Sequence, residues 1–283
     1  MQLITISLLH FRTYTKDHIA FSPTVTLIIG ANASGKTNIL EAIFMLSTGR
    51  SFRAKKESDV VKWESEVSRI KATGTNAQEE FFLELVITNG TIHGQKTPVK
   101  KYLVNNVPRP QRDFIGNLRS VLFSPGDLEL VTDSPNMRRE YFNTVLVQVD
   151  REYRRSLGSY ERGLRQRNSL LDRINEGTAS RSQLLFWNQL LIKTGSYITQ
   201  CRKRYIETIN SYTFANMSYQ LVYDPSVMSP SRLEEYAQEE IAAKVTLVGP
   251  QRDDFQFEKK TKSKTTIDIS RFGSRGEQRL AVL

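Results

Sequence analysis

The string Gly30-Ala31-Asn32-Ala33-Ser34-Gly35-Lys36-Thr37 limits this chain more than any other. It fits the G-x-x-x-x-G-K-[ST] pattern of a phosphate-binding loop. Gly30 and Gly35 allow a backbone that turns successive N–H groups inward around phosphate oxygens. Lys36 brings a mobile positive charge to the β- and γ-phosphates, and Thr37 offers a hydroxyl to Mg²⁺. The apolar run Val25-Thr26-Leu27-Ile28-Ile29 ahead of the loop predicts a strand. Asn38–Ser47, with Ile39, Leu40, Ile43, Phe44 and Leu46, predicts a helix opening directly from it. The positive end of that helix's dipole would add to the cradle. Strand, loop and helix in this order imply an α/β domain that binds ATP or GTP with Mg²⁺.

Three stretches follow from the patterning. Residues 1–133 read as mixed α/β, with strands expected near 2–8, 24–29, 81–87, 101–104 and 120–123. Residues 134–212 read as helical. Ser134-Pro135 supplies a helix start, and Phe142, Leu146, Val149, Tyr153, Leu157, Tyr160 and Leu164 recur at near-helical spacing, predicting one long amphipathic helix. A polar turn at 175–180 precedes a second stripe, Leu184, Trp187, Leu191, Ile198, Cys201, Tyr205 and Ile209, so an antiparallel helical hairpin is expected. Residues 213–283 return to strands, at 219–223, 244–248, 255–257 and 265–269, around a short basic turn Lys259–Lys264.

The chain carries 40 Lys+Arg against 30 Asp+Glu, a net charge of +10 that favours an acidic polymer as partner. Fourteen of these cations against seven acids fall in residues 137–210. Arg151, Arg155, Arg162 and Arg165 share one helical face there, opposite the apolar stripe, and are candidate contacts to DNA phosphates. A solvated helix face is the plainer reading of the same pattern. Cys201 is the single cysteine, which excludes an internal disulfide and a thiolate zinc cluster. His10, His18 and His93 lack metal-ligand spacing. No signal peptide or spanning segment is evident, so a cytoplasmic protein without membrane contact is expected.

Several segments, in order, resemble the RecF family. They are Phe11-Arg12-Thr13-Tyr14, Gly30 through Ile43, Leu46–Arg53, Phe123–Leu128, Ser134–Arg139, Tyr160 with Gln166–Leu171, Gly249–Asp254 and Phe272–Arg279. The resemblance implies an ABC-type P-loop ATPase head carrying a helical-hairpin arm. It implies that Ser274-Arg275-Gly276-Glu277-Gln278 is a signature motif acting in trans on ATP held by a second copy, hence an ATP-dependent homodimer. It further implies ATP and Mg²⁺ as cofactors, DNA as partner (single-strand gaps, junctions or duplex), RecR- and RecO-type mediators, and a part in recombinase loading.

An ABC-type site also needs a Walker B strand ending in an acidic pair. Leu221–Asp224 is followed by Pro225, and Leu247–Asp254 places its acids too far from its apolar run. No catalytic acid is therefore assigned, and weak ATP binding with negligible turnover is expected of this chain. A nucleotide-sensing DNA- or partner-binding module without turnover, and a related SMC-like ATPase, remain alternatives.

Overall fold

In a computed structural model, the described residues are 1–77, 79–132, 134–212, 219–260 and 266–282. They form two compact units: residues 1–122 with 147–149, and residues 123–146 with 150–283. The third sequence stretch thus shares a unit with the helical hairpin.

The first unit is built on a six-stranded antiparallel sheet. Its strands are β1 (Gln2–Phe11), β2 (Tyr14–Ala20), β3 (Val67–Asn76), β4 (Glu79–Thr88), β5 (Lys100–Val104) and β6 (Val107–Arg109). Their order is β2-β1-β3-β4-β5-β6. Alternation along β1 sends Ile6 and Leu8 inward, where they join Ile70, Ala72, Leu83, Leu85 and Ile87 in one buried cluster. Helix α1 (Lys36–Thr48) adds Ala42, Met45 and Leu46 to it. The helix stops at Gly49, whose φ of 75° is left-handed and whose N–H donates to the Met45 carbonyl at 2.8 Å.

Three strand expectations fail. Residues 24–29, 120–123 and 244–248 form no ladder. Val25, Leu27 and Ile29 are 78, 81 and 80% exposed, so the β-branched run has strand propensity without a neighbour among the described residues to pair with. Strands β2 and β3 went unanticipated because their residues are too polar to announce them: Lys16, Asp17 and His18 in one, Arg69 and Lys71 in the other.

The second unit holds α2 (Pro135–Val149) except for its residues 147–149, which belong to the first, together with α3 (Arg151–Asn175) and α4 (Leu184–Ser211). The single long helix expected across 142–164 is two. The chain leaves helical geometry at Asp150 (φ −122°, ψ 111°), whose Oδ1 accepts the Tyr153 N–H at 2.8 Å and caps α3. The hairpin of α3 and α4 forms as anticipated, turning at Gly177 with φ 73°. Its buried face differs from the apolar stripe, since Ser156, Gly163 and Arg167 are buried beside Tyr153, Tyr160 and Leu171. A Cβ on Gly163 would lie 3.2 Å from Leu190 and Leu191, so this glycine sets how closely the two helices approach.

Strands β7 (Tyr219–Asp224), β8 (Asp254–Lys260) and β9 (Thr266–Asp268) form an antiparallel sheet in the order β9-β8-β7. Of the basic turn, residues 261–264 lie outside the described residues, as do the expected domain-boundary residues 133 and 213. The Gly249–Asp254 segment, whose role the sequence left open, is a polar lock. Arg202 donates to Asp253 Oδ2 at 2.7 Å and to the Pro250 carbonyl at 2.8 Å. Tyr223 and the Ser226 N–H also donate to Asp253. Arg138 grips Asp254 through two bonds of 2.7 and 3.0 Å. A second lock joins Arg167 to Glu240 at 2.6 Å, with Asn188 and Thr246 accepting the remaining guanidinium donors. No helix among the described residues is long and apolar enough to cross a membrane.

Candidate functional site

The phosphate loop sits in the first unit, between residues 24–29 and α1. Gly35, with φ 95°, is the helix N-cap and brings no side-chain cap, leaving the first-turn N–H groups without a side-chain acceptor. Two observations fix glycine at this position. Its φ is left-handed, and a Cβ would come within 3.0 Å of both Thr13 Oγ1 and the Tyr14 hydroxyl. Tyr14 donates to the Gly35 carbonyl at 3.2 Å, tying the loop's exit to β2. Ala33 is also left-handed (φ 63°), so the loop alternates backbone hands in the manner that makes an anion-binding concavity.

Gly30, Ala31, Asn32, Ala33, Ser34 and Thr37 are exposed, while Gly35 is buried and Lys36 half-buried. The Lys36 ammonium donates to the Gly30 and Ala31 carbonyls at 2.9 and 2.7 Å. The charge is therefore held over its own loop, where a phosphate can replace those two carbonyls as acceptor. These residues fit ATP: an exposed loop lies at the positive end of a helix whose N-cap offers no side-chain acceptor, and the lysine is already held over that loop. Bound ATP would supply the phosphates and carry Mg²⁺, for which Thr37 offers its exposed hydroxyl.

The sequence did not single out the charged cluster behind the loop. Glu41, on α1, is fully buried and accepts from Arg12 Nε (2.9 Å) and its terminal nitrogen (2.6 Å), from Arg53 Nε (2.9 Å) and its terminal nitrogen (2.7 Å), and from Ser51 Oγ (2.5 Å). Burial pushes the Glu41 carboxyl up, but the bonds from Arg12, Arg53 and Ser51 outweigh it and hold it below the ordinary carboxylate value. Arg53 also donates to Asn38, and Asn38 donates to Thr13 Oγ1 at 2.9 Å. Two guanidiniums thus share one carboxylate, a net positive cluster connected to the loop through Asn38, Thr13 and Tyr14. Arg12, in the first of the RecF-like segments, is thus committed to Glu41. A legible signal existed: a glutamate on the inward face of an otherwise apolar helix requires a buried partner.

The signature string lies in the second unit. Ser274 precedes α5 (Arg275–Val282). Its N–H donates to Glu277 Oε2 at 2.9 Å, while its hydroxyl accepts the Glu277 N–H at 3.3 Å. This is a capping box. Lys259 donates to Glu277 at 2.5 Å, and that bond, with those from Ser274, pulls the Glu277 carboxyl down to about 2. Gln278 donates to the Ile269 carbonyl at 3.3 Å, and Arg275 and Gly276 are exposed in the first turn. The four hairpin arginines, Arg151, Arg155, Arg162 and Arg165, are all exposed on α3. Arg155 faces Glu152 at 3.6 Å. Of the fourteen cations in 137–210, Arg138, Arg167 and Arg202 are buried in the locks, so the arm is less available as a cation than its composition indicates.

The RecF/RecN/SMC N-terminal domain family matches residues 2–283. DNA replication and repair protein RecF of Natranaerobius thermophilus is 34% identical over all of this chain and 78% of its own length. RecF of Heliobacterium modesticaldum is 35% identical with the same coverage. The chain belongs to the RecF family. A solved structure of the recombination mediator protein RecF-ATPrS, from the RecFOR pathway, superposes with a TM-score of 0.87 at 27% identity, over 99% of this chain and 78% of that one. A RecF–ATP structure matches equally well. The fold is accordingly the RecF-type P-loop ATPase head, with α3 and α4 as its helical hairpin.

Proposed function

We propose that this RecF-family protein binds ATP at Gly30–Thr37 and uses it to control its hold on DNA during repair and replication. The observation that carries the reading is the open loop itself, with uncapped N–H groups at a helix start and Lys36 resting on two replaceable carbonyl acceptors. The relatives' names and the ATP-bound RecF structures support it. In its finer form, two copies enclose two nucleotides, with Ser274–Gln278 of each closing on the other's ATP. The dimer clamps single-strand gaps or junctions and supports recombinase loading together with RecR- and RecO-type mediators. Arg151, Arg155, Arg162 and Arg165 are candidate phosphate contacts.

Binding without turnover is the second reading. It is favoured by what the acidic candidates do: Asp253 and Asp254 are held by Arg202 and Arg138, and Asp224 is followed by Pro225 rather than by a second acid.

The deciding experiment is fluorescence anisotropy of labelled DNA with and without ATP–Mg²⁺, on the chain and on Lys36→Ala. ATP is expected to tighten DNA binding. Lys36→Ala should weaken ATP binding by roughly 10- to 150-fold, the equivalent of about 1.5–3 kcal/mol for a charged hydrogen bond, and remove the gain. DNA affinity that ignores both ATP and Lys36 would overturn the nucleotide-controlled reading.

A further inference from the structure

The outer face of the six-stranded sheet carries charge that nothing above employs. Register places Lys16, Leu9, Arg69, Val86 and Lys101 side by side across β2, β1, β3, β4 and β5. The next row on the same face is His18, Ser7, Lys71, Glu84 and Leu103. Since Ile6, Leu8, Ile70, Ala72, Leu83 and Leu85 point to the α1 side, these two rows point away from the core. Lys16 and Lys101 are exposed, and the Arg69 and Lys71 side chains are each 45% exposed. A solvent-open trough is lined by Lys16, Asp17, His18, Arg69 and Lys71 together with residues 7–9 of β1.

The electrostatics are one-sided. Glu84 is the acid within the two rows, and it is buried under Arg69 at 2.8 Å, with Lys71 at 4.0 Å. Lys16 and Lys101 therefore remain as outward charge, and Arg69 with Lys71 over the single Glu84 carboxylate leaves a further net positive charge. Strands lie about 4.8 Å apart, so the Lys16–Arg69–Lys101 row spans about 19 Å with a cation roughly every 10 Å, and Lys71 stands about 7 Å from Arg69 along β3. Over ~19 Å of axis one strand of B-DNA carries between five and six phosphates, at ~3.4 Å each. Neither row contains Phe, Tyr or Trp, the rings on which unpaired bases stack. The two rows suit a phosphate backbone, and Phe82, a ring on the same face, lies one row beyond them and is half-buried.

We propose that this sheet face is a contact surface for the backbone of duplex DNA, with Lys16, Lys71 and Lys101 as its phosphate contacts and Arg69 as the group that neutralises Glu84 beneath them. The inference rests on the reading that the protein binds DNA and says where. Binding there is independent of sequence, because backbone contacts position a duplex without distinguishing its bases.

The test is the salt dependence of binding to a labelled duplex of mixed sequence, by anisotropy, between about 50 and 200 mM salt. The proteins are the full chain, Lys16→Ala/Lys71→Ala/Lys101→Ala, the corresponding triple Lys→Arg variant, and Arg151→Ala/Arg155→Ala/Arg162→Ala/Arg165→Ala. Each lost contact removes about 0.9 from the slope of log K against log salt, so the alanine triple should lose between about 2 and 3, with affinity near 0.1 M salt falling by roughly two orders of magnitude. The arginine triple should keep the slope. Thermal melting checks that the alanine triple stays folded; Arg69 is left in place so that Glu84 keeps its partner. An unchanged slope in a folded alanine triple, or a slope lost wholly in the hairpin variant, overturns the sheet-face assignment while leaving DNA binding intact. Failure of the unaltered chain to bind duplex overturns both.

Discussion

The two units bury charge in opposite ways. In the second, each buried cation meets its own carboxylate: Arg202 has Asp253, Arg167 has Glu240, Arg138 has Asp254. Neutral groups such as Tyr223, Thr246 and Asn188 take up the remaining valences. In the first, Glu41 serves two guanidiniums, Arg12 and Arg53, and these are 21 and 38% exposed rather than sealed in. A balanced, enclosed pair joins segments far apart in sequence and has nothing left over for a ligand. An unbalanced one at the edge of a phosphate loop keeps positive potential where anions arrive. The difference separates scaffold from site more clearly than burial alone.

The sharpest way to break the contrast is Asp253→Asn. It leaves Arg202 buried with no counter-charge, and a loss of about 3–5 kcal/mol is expected, as for other broken buried pairs. In a domain of this size that is a fall in melting temperature of order 10 °C. Thermal melting near neutral pH reads it; a shift of only a degree or two would mean that the lock is not structural.

Glu41→Gln should cost less, about 1–3 kcal/mol, because Arg12 and Arg53 can turn toward water. This carboxyl also has a pH signature. Its folded value lies below its ordinary one, so its stabilisation is fully present above the ordinary carboxylate value and is lost as pH falls through the depressed folded value. Melting temperatures measured from pH 7 down into the acid range should converge for the chain and Glu41→Gln. Parallel curves would show that Glu41 does not titrate as a paired carboxylate.

Ser274→Ala is the mildest, removing a helix cap at a cost of about 0.5–2 kcal/mol confined to α5. Hydrogen exchange should speed up in residues 275–278 and nowhere in the hairpin. Unchanged exchange there would show that the Ser274–Glu277 box does not hold the helix start.

How much of this could be read beforehand follows from how local each feature is. The phosphate loop and the start of α1 were legible because eight consecutive residues encode them. The break at Asp150 was encoded locally too, as an N-cap aspartate, but an apolar stripe of helical period ran straight through it and masked the signal. The locks were not legible. Arg167 and Arg202 look like ordinary polar positions on amphipathic helices, and their partners, Glu240 and Asp253, lie 73 and 51 residues away. The apolar run 25–29 failed in the opposite sense. It announces strand propensity, but a strand needs a ladder partner, which no single segment can specify. β3 paired well despite its polar face, since its neighbours β1 and β4 were at hand.

That unladdered run has a consequence for affinity. The loop is tied on one side by α1 and by Tyr14, while residues 24–29 on its other side have no ladder partner among the described residues. A binding site that is correctly shaped only part of the time shows an apparent dissociation constant raised by the reciprocal of that fraction; one formed a tenth of the time binds about tenfold more weakly with every contact intact. Whatever comes to lie against Val25, Leu27 and Ile29 would therefore strengthen nucleotide binding without touching the nucleotide, and ATP, by the same linkage, would favour that docking in return.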